Sequence, residues 1–390
     1  MQKNYFDHNA TTAIDKKVLG VMLPYIEMQQ GNPTSQHSFG RYARTAIEEA
    51  REQVALAIHA HPSEVIFTSG GTEANNMIVH GAAIKQREST LVRSNIEHPC
   101  VARPMEAMKY QGWKQALLNV SQDGVVTKEA YKNISAENIS LVSVMLANNE
   151  TGAIQDMALL HDFAKEKKAL SHTDAVQAFG KIDVRFDELH IDAMTLSSHK
   201  IYGPQGVGAL ILNKRSDIEP LIYGGGQEKN LRSGTENIAA IVGFGKACEL
   251  ISESMKATST HTHELKKILE VHLKDLGAVI FSEKVARLNN TTFFAFKDIE
   301  GSTLLTALDK KGFAIASGSA CSSVNKEPSH VLLAMGIDED LARGALRISF
   351  GQKNSMTEVK DFVEVLKKEL QTLKQLKELQ TLKQLTAIAA

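Results

Sequence analysis

One lysine in this chain sits where a lysine could be chemically useful. Lys200 lies in "SSHKIYGPQGVGAL" (197–210), behind Ser197, Ser198 and His199 and ahead of a Gly-Pro turn. A lysine in a turn is usually a solvated charge. Here hydroxyl and imidazole neighbours crowd it, and Gly203, Gly206 and Gly208 leave backbone room for a bulky group. An amine held beside cationic or apolar groups loses its proton more readily and becomes a nucleophile toward an aldehyde. Other residues suit the same kind of ligand. Gly70-Gly71-Thr72 separates the strand-like "EVIFTS" (64–69) from the helical "EANNMIVHGAAIKQ". Glycines let backbone approach an anion, and a helix start turns free N–H groups toward it. The same tripeptide could equally be a turn with an N-cap.

Further candidates close other apolar runs. His98 follows "TLVRS", with Pro99 fixing the chain and Cys100 beside it. Asn148 and Asn149 close "SLVSVMLAN", where paired amides either cap a turn or bind a ligand's oxygens. Asp174 ends "ALSHTDA" (169–175), with Gln177 three residues on; the carboxylate is either an N-cap or the partner of a cationic ring nitrogen. "GGGQEKNLRSGTEN" (224–237) offers a second glycine-rich, anion-contacting loop that carries Thr235. Cys321 sits in "ASGSACSSVNKEPSH" (316–330), a stretch too small-sided to build a core. From its residues alone this thiol is either incidental or displayed for chemistry. Cys248, in "GKACELI", reads as core.

One ligand meets these demands together. It needs a phosphate for Gly71, Thr72, Ser197 and His199, a ring nitrogen for Asp174, an aldehyde for Lys200 and a flat face for His98. Pyridoxal 5′-phosphate has all four.

The elements that must position these residues follow from patterning. Short apolar strands alternate with helical stretches such as "MALLHDFAKEKK" (157–168) through the first two thirds of the chain. That alternation predicts an α/β fold with a mostly parallel central sheet, whose ligands gather beyond the carboxyl ends of the strands. A large cofactor-binding domain is expected over 15–255. After a charged helical stretch at roughly 250–276, "NNTTFFAF" and "ALRISFG" predict a smaller α+β domain over 256–368, joined by residues 1–14 and carrying the Cys321 loop. Residues 369–390 form a helical tail in which "LQTLKQL" occurs twice. Its leucines recur every three residues, so they drift around a helix and make no coiled-coil seam.

Composition bounds the function. The 390 residues carry 44 Lys plus Arg against 45 Asp plus Glu, a balance that favours neither nucleic acid nor an anionic membrane. Three cysteines without metal-ligand spacing argue against a disulfide framework and a metal site. With no signal-like apolar core near residue 1 and no membrane-length apolar run, a cytoplasmic protein is expected.

The sequence resembles the cysteine desulfurases, in the class V branch of fold-type I pyridoxal-phosphate enzymes. The motifs are "YFDHNATT" (5–12), "GNPTSQHSFGR" (31–41), "IFTSGGTEANN" (66–76), "EHP" (97–99), "VSVMLANNETG" (142–152), "TDAVQAFGK" (173–181), "SSHKIYGP" (197–204), "RSGTEN", "SGSACSS", "PSHVLLAMG" and "LRISFG" (346–351). They cover nearly everything but the tail. The resemblance implies a fold-type I transferase in which Lys200 attaches the cofactor, His98 stacks on its ring and moves protons, Asp174 meets the ring nitrogen and Gln177 the phenolic oxygen. Gly71, Thr72, Ser197 and His199 match phosphate contacts. Thr235 matches a residue that reaches the phosphate of the other subunit, which implies a homodimer. Asn149 and Arg347 match the substrate-carboxylate contacts, a role that suits a planar guanidinium. Cys321 matches the sulfur-accepting nucleophile, so the implied reaction takes L-cysteine to L-alanine with a persulfide on Cys321. A sulfur acceptor or iron–sulfur scaffold protein is the implied partner. Another class V activity, aminotransferase or selenocysteine lyase, and a non-catalytic sulfur-trafficking scaffold are the competing readings. The sequence departs from the family at His8, Cys100, Gln205, "QEKN" (227–230) and "QKN" (352–354).

Overall fold

The computed structural model describes residues 4–27, 30–318 and 327–388. The predicted Cys321 site lies outside them. A short strand, β1 (Asn4–Tyr5), opens the described chain. Seven strands then build the main sheet: β2 (Val65–Thr68), β3 (Thr90–Ser94), β4 (Lys114–Leu118), β5 (Ile139–Ser143), β6 (Leu170–Asp174), β7 (Ala193–Ser197) and β8 (Gly208–Leu212). Their order is β2-β8-β7-β6-β5-β3-β4. Pairing is parallel from β7 to β4, and only β8 runs antiparallel to its neighbours. Every residue of β5, β7 and β8 is buried, as expected for strands covered by helices on both faces.

Those helices carry matching stripes. In Ser38–Ala57, Ala43, Ala46, Ile47, Ala50 and Val54 are buried, a spacing that puts them on one helical face. In Gly71–Lys85, Ala74, Met77, Ile78, Ala82 and Ala83 pack toward the sheet residues Ile66, Leu91 and Leu210.

A second sheet uses β9 (Ala278–Ile280), β10 (Thr291–Phe296), β12 (Ala316–Ser317) and β13 (Leu346–Ser349), in the order β12-β13-β10-β9 and antiparallel throughout. β1 pairs in parallel with β11 (Phe313–Ala314). Phe6 thereby enters a separate apolar cluster with Phe294, Phe313, Phe350 and Phe362.

Two expected boundaries fall inside continuous helices. The helix expected near 250–276 is Ile238–Asp275. It begins in the large core, through Phe244, Ala247 and Cys248, and ends in the smaller one, through Leu265, Leu269 and Leu273. The terminal helix Met356–Ile388 runs through the 369 boundary without a break. Leu370 is buried in the small core, Leu373 is partly buried against it, and Leu376 and Leu379 are exposed. The three-residue leucine spacing drifts off the packed face as a 3.6-residue helix requires. No described helix is long and apolar enough to cross a membrane.

Candidate active site

The parallel strands end on one edge of the main sheet, and the candidate residues lie on or just past those ends. Asp174 is the last residue of β6 and Ser197 the last of β7. The register sets Asp174 opposite Thr195, so the two strand ends lie side by side. A single turn, Ser198–Lys200, follows β7 and carries the lysine. Beyond β3, His98 caps the helix Pro99–Tyr110, and its Nδ1 accepts the Cys100 N–H at 3.2 Å. Beyond β2, Gly70 adopts φ +153°, a region closed to most side chains, and lets the chain turn sharply into the helix starting at Gly71.

That helix start forms one wall of a cleft of about 400 Å³, lined by Thr11, Gly71, Thr72, Ser197, His199 and Gln205. A methyl group at Gly71 would stand 3.1 Å from Val176 Cγ2 and 3.7 Å from Ser197 Cβ, so the bare backbone is what lets the β6 and β7 ends approach the helix. The first-turn N–H groups have no partner within the helix. With two hydroxyls and an imidazole around them, the donor set suits a phosphate. Burial, with Lys200 nearby, pushes the His199 imidazole down to about 4, so at neutral pH its ring is uncharged. His199 Nδ1 lies 3.1 Å from Thr11 Oγ1.

Asp174 is 5 % exposed. Its Oδ2 accepts from Asn75 Nδ2 at 2.7 Å, and its Oδ1 accepts from the Val176 N–H at 3.0 Å. Cys100 Sγ lies 2.9 Å from His98 Nδ1 and 2.9 Å from Asn75 Nδ2, tying histidine, thiol, amide and carboxylate into one network. Burial raises the Cys100 thiol well above its ordinary range, with Asp174 adding to it, so Cys100 is a neutral thiol. Burial also lowers the His98 pKa, and Lys200 lowers it further against the opposing pull of Asp174. Because Nδ1 accepts a backbone N–H, the neutral His98 ring carries its proton on Nε2.

Lys200 Nζ donates to the carbonyl oxygens of Asn9 and Ala10, each at 2.6 Å. Asn9 carries the wider arrangement. Its carbonyl also accepts from Gln177 Nε2 at 2.9 Å, and its Nδ2 donates to the Asn149 carbonyl at 3.2 Å and to Thr291 Oγ1 at 2.9 Å. The Asn149 carbonyl accepts from Arg347 at 2.9 Å, and the same guanidinium donates to Asp7 Oδ1 at 2.6 Å. Arg347 is buried, and its Nε–H has no partner among the described residues. The guanidinium is therefore held at one side by Asp7 and retains donor capacity for a second carboxylate.

Lys200, His98, Asp174, Gln177, Ser197, His199, Gly71, Thr72, Asn149 and Arg347 thus gather around one edge of the sheet. Thr235 stands apart, exposed in the loop ahead of the helix Ile238–Asp275. That loop is fastened from behind: Arg51 pairs with Glu228 at 2.7 Å, and Arg232 with Glu73 at 2.7 Å. Sequence reasoning gave no role to Asn9, Lys181, Asn75 or Asp7. Each lies within a quoted motif, but their importance rests on contacts between segments far apart in sequence, which spacing does not reveal.

The class V aminotransferase family model matches residues 4–362. A cysteine desulfurase, IscS, of Dictyoglomus turgidum is 41% identical over 376 residues, covering 95% of each chain. The chain belongs to the cysteine desulfurases of the class V aminotransferase family. Solved structures agree. A NifS-like protein superposes with a TM-score of 0.89 at 38% identity, covering 95% of this chain and 100% of its own. SspA in complex with cysteine gives a TM-score of 0.81 at 33% identity, covering 90% of this chain and 100% of its own. The likeness to these cysteine desulfurase-type structures is one of overall fold and spans nearly the whole chain.

Proposed function

We propose that this protein converts L-cysteine to L-alanine with pyridoxal 5′-phosphate as cofactor and passes the sulfur to Cys321 as a persulfide. The observation that carries the reading is the position of the Lys200 amine: it is turned inward onto the Asn9 and Ala10 carbonyls, at the strand edge that also holds Asp174 and His98. A surface lysine would have no reason to be held there.

The residues fit the cofactor. The Gly71–Thr72 helix start, Ser197 and His199 would hold its phosphate, the Lys200 amine is the point of covalent attachment, Asp174 would meet the ring nitrogen and Gln177 the phenolic oxygen. Thr235, exposed on its fastened loop, would complete the phosphate site of a second copy. When bound, the cofactor supplies an electron sink for a substrate that has lost its Cα proton.

The chain's own groups do the rest. Arg347 and Asn149 hold the substrate carboxylate, the guanidinium being pre-oriented by Asp7. His98, its proton on Nε2, would stack against the bound cofactor, and the Lys200 amine would take the Cα proton of the substrate. The Cys321 thiolate attacks the substrate sulfur. A sulfur–sulfur bond forms, the carbon–sulfur bond breaks with its electron pair remaining on carbon, and protonation of that carbon leaves alanine. Cys100 is not a rival nucleophile, since burial keeps it protonated.

We also read 15–255 as the cofactor-binding unit and 1–14 with 256–368 as the small unit that carries Cys321. The large apolar cluster lies in the first unit but for Leu288 and the smaller one in the second but for Leu370, which supports this division, while a further cluster joins Ile96 and Met145 to Phe293 across it. The free thiols of Cys100 and Cys248 fit a reducing compartment. A homodimer and a sulfur-accepting or iron–sulfur scaffold protein are the partners this chemistry requires. The test is to supply pyridoxal 5′-phosphate and L-cysteine with a thiol reductant and measure products. An aminotransferase would yield a keto acid and no sulfide, and would retain full turnover in Cys321→Ala.

A further inference from the structure

Lys181 is a half-buried lysine for which the chemistry above has no use. It lies at the end of "TDAVQAFGK", past the strand edge, beside a small cavity of about 30 Å³ that Lys200, His8, Thr262 and Asn290 also line. A space of that size admits about one water molecule. Among the described residues no carboxylate pairs with Lys181. Desolvation pushes its pKa well down, and the cationic charges of Lys200 and Arg347 add to this.

What Lys181 does touch is specific. Its Nζ donates to Gln177 Oε1 at 2.7 Å and to Asn9 Oδ1 at 2.8 Å. Main-chain carbonyls only accept, so the NH₂ of Gln177 faces the Asn9 carbonyl and the NH₂ of Asn9 faces the Asn149 carbonyl, and each amide turns its oxygen toward the Lys181 amine, whose N–H groups can meet both. With Oε1 committed to Lys181, the Gln177 carboxamide turns its NH₂ away, toward the Asn9 carbonyl that Lys200 also contacts. With Oδ1 committed, Asn9 turns its NH₂ toward the Asn149 carbonyl and Thr291. Without Lys181 the Gln177 Oε1 would lose its donor and the Asn9 Oδ1 would keep only Asn290 Nδ2, at 3.2 Å, so the Gln177 amide would be the less firmly held of the two.

We propose that Lys181 is a positioning residue: it fixes the Gln177 and Asn9 amides so that Gln177 presents its N–H to the cofactor's phenolic oxygen and the Asn9 carbonyl stays aligned on Lys200. The inference rests on the cofactor reading above. It concerns a residue that touches neither cofactor nor substrate, and it predicts an effect routed through Gln177.

The test uses the full-length protein, stripped of cofactor and titrated with pyridoxal 5′-phosphate. Binding is followed by the absorption spectrum of the bound cofactor, and thermal unfolding of the cofactor-free forms is recorded in parallel. Lys181→Met is expected to weaken cofactor binding about tenfold and to move the absorption maximum in the same direction as Gln177→Leu. The double variant is expected to shift no further than Gln177→Leu alone, because the two residues act as one unit. A lysine that only fills space would lower the unfolding temperature, leave the absorption maximum in place and add its effect to that of Gln177→Leu. Should Lys181→Met fail to fold, Lys181→Ala, which removes the donor and leaves room for water, decides the matter: a spectral shift in the direction of Gln177→Leu supports the role and an unmoved spectrum overturns it. A wild-type protein that takes up no cofactor would overturn the cofactor reading and this proposal together. A wild type that loads normally beside an unchanged Lys181→Met would overturn this proposal alone.

Discussion

The amine of Lys200 and the main-chain carbonyl of Asn9 lie 2.6 Å apart, although 190 residues separate them in sequence. Through this contact the segment after β1 reaches across to the end of β7 and closes the back of the site. The lysine is bonded rather than solvated, and its partners are backbone oxygens that cannot ionise.

The first prediction concerns that attachment. Borohydride reduction of the cofactor-loaded protein should fix a pyridoxyl group on the peptide containing Lys200. Lys200→Ala should show no such adduct by peptide mass mapping and should lose turnover. An adduct on Lys181 in the wild type would exchange the roles given to the two lysines.

Arg347 leads to the second. Its guanidinium contacts Asp7 and the Asn149 carbonyl and keeps N–H groups for a substrate carboxylate. Arg347→Lys keeps the charge and loses the planar fork. Steady-state kinetics should give a KM for cysteine raised by about tenfold to a hundredfold, the worth of one charge-assisted hydrogen bond, with kcat less affected. An unchanged KM with a lowered kcat would place Arg347 outside substrate binding.

The third is a pH dependence of stability. Burial raises the Glu97 carboxyl to about 8 and the Glu150 carboxyl to about 7. Both lie above the unfolded value, so their contribution to stability is complete below it and is lost as pH rises through 8 and 7 respectively. Burial lowers His172 to about 3 and His8 to about 4. Their contribution is complete above the unfolded histidine value and is lost as pH falls through these values. Denaturant unfolding of the cofactor-free protein should therefore give greatest stability on the mildly acidic side of neutrality. Glu97→Gln should flatten the alkaline limb by up to about 1.4 kcal/mol per pH unit. A mutant curve parallel to wild type would remove Glu97 from this account.

Much of this was legible from the residues, and the exceptions have a common cause. Strand ends carry the site, so short apolar runs closing on Asp174 and Ser197 already marked the edge, and Gly70-Gly71-Thr72 marked the helix start. The small-unit strand "ALRISFG" placed Arg347, but nothing in it announced Asp7, which pairs with it from 340 residues away. Lys181 was visible only as the last residue of a motif, and only the fold turns two amides onto it. The helix Ile238–Asp275 was foreseen in part, because its first turns are small and apolar and lack the charge pattern that marked the rest. Periodicity detects elements, and contacts between distant segments have no periodicity.

The central claim is tested most directly by incubating the cofactor-loaded protein with L-cysteine and a thiol reductant and quantifying alanine and sulfide in the same sample. Equal yields are expected, both abolished by Cys321→Ser and by Lys200→Ala. Alanine without sulfide, or undiminished sulfide release from Cys321→Ser, would contradict the account.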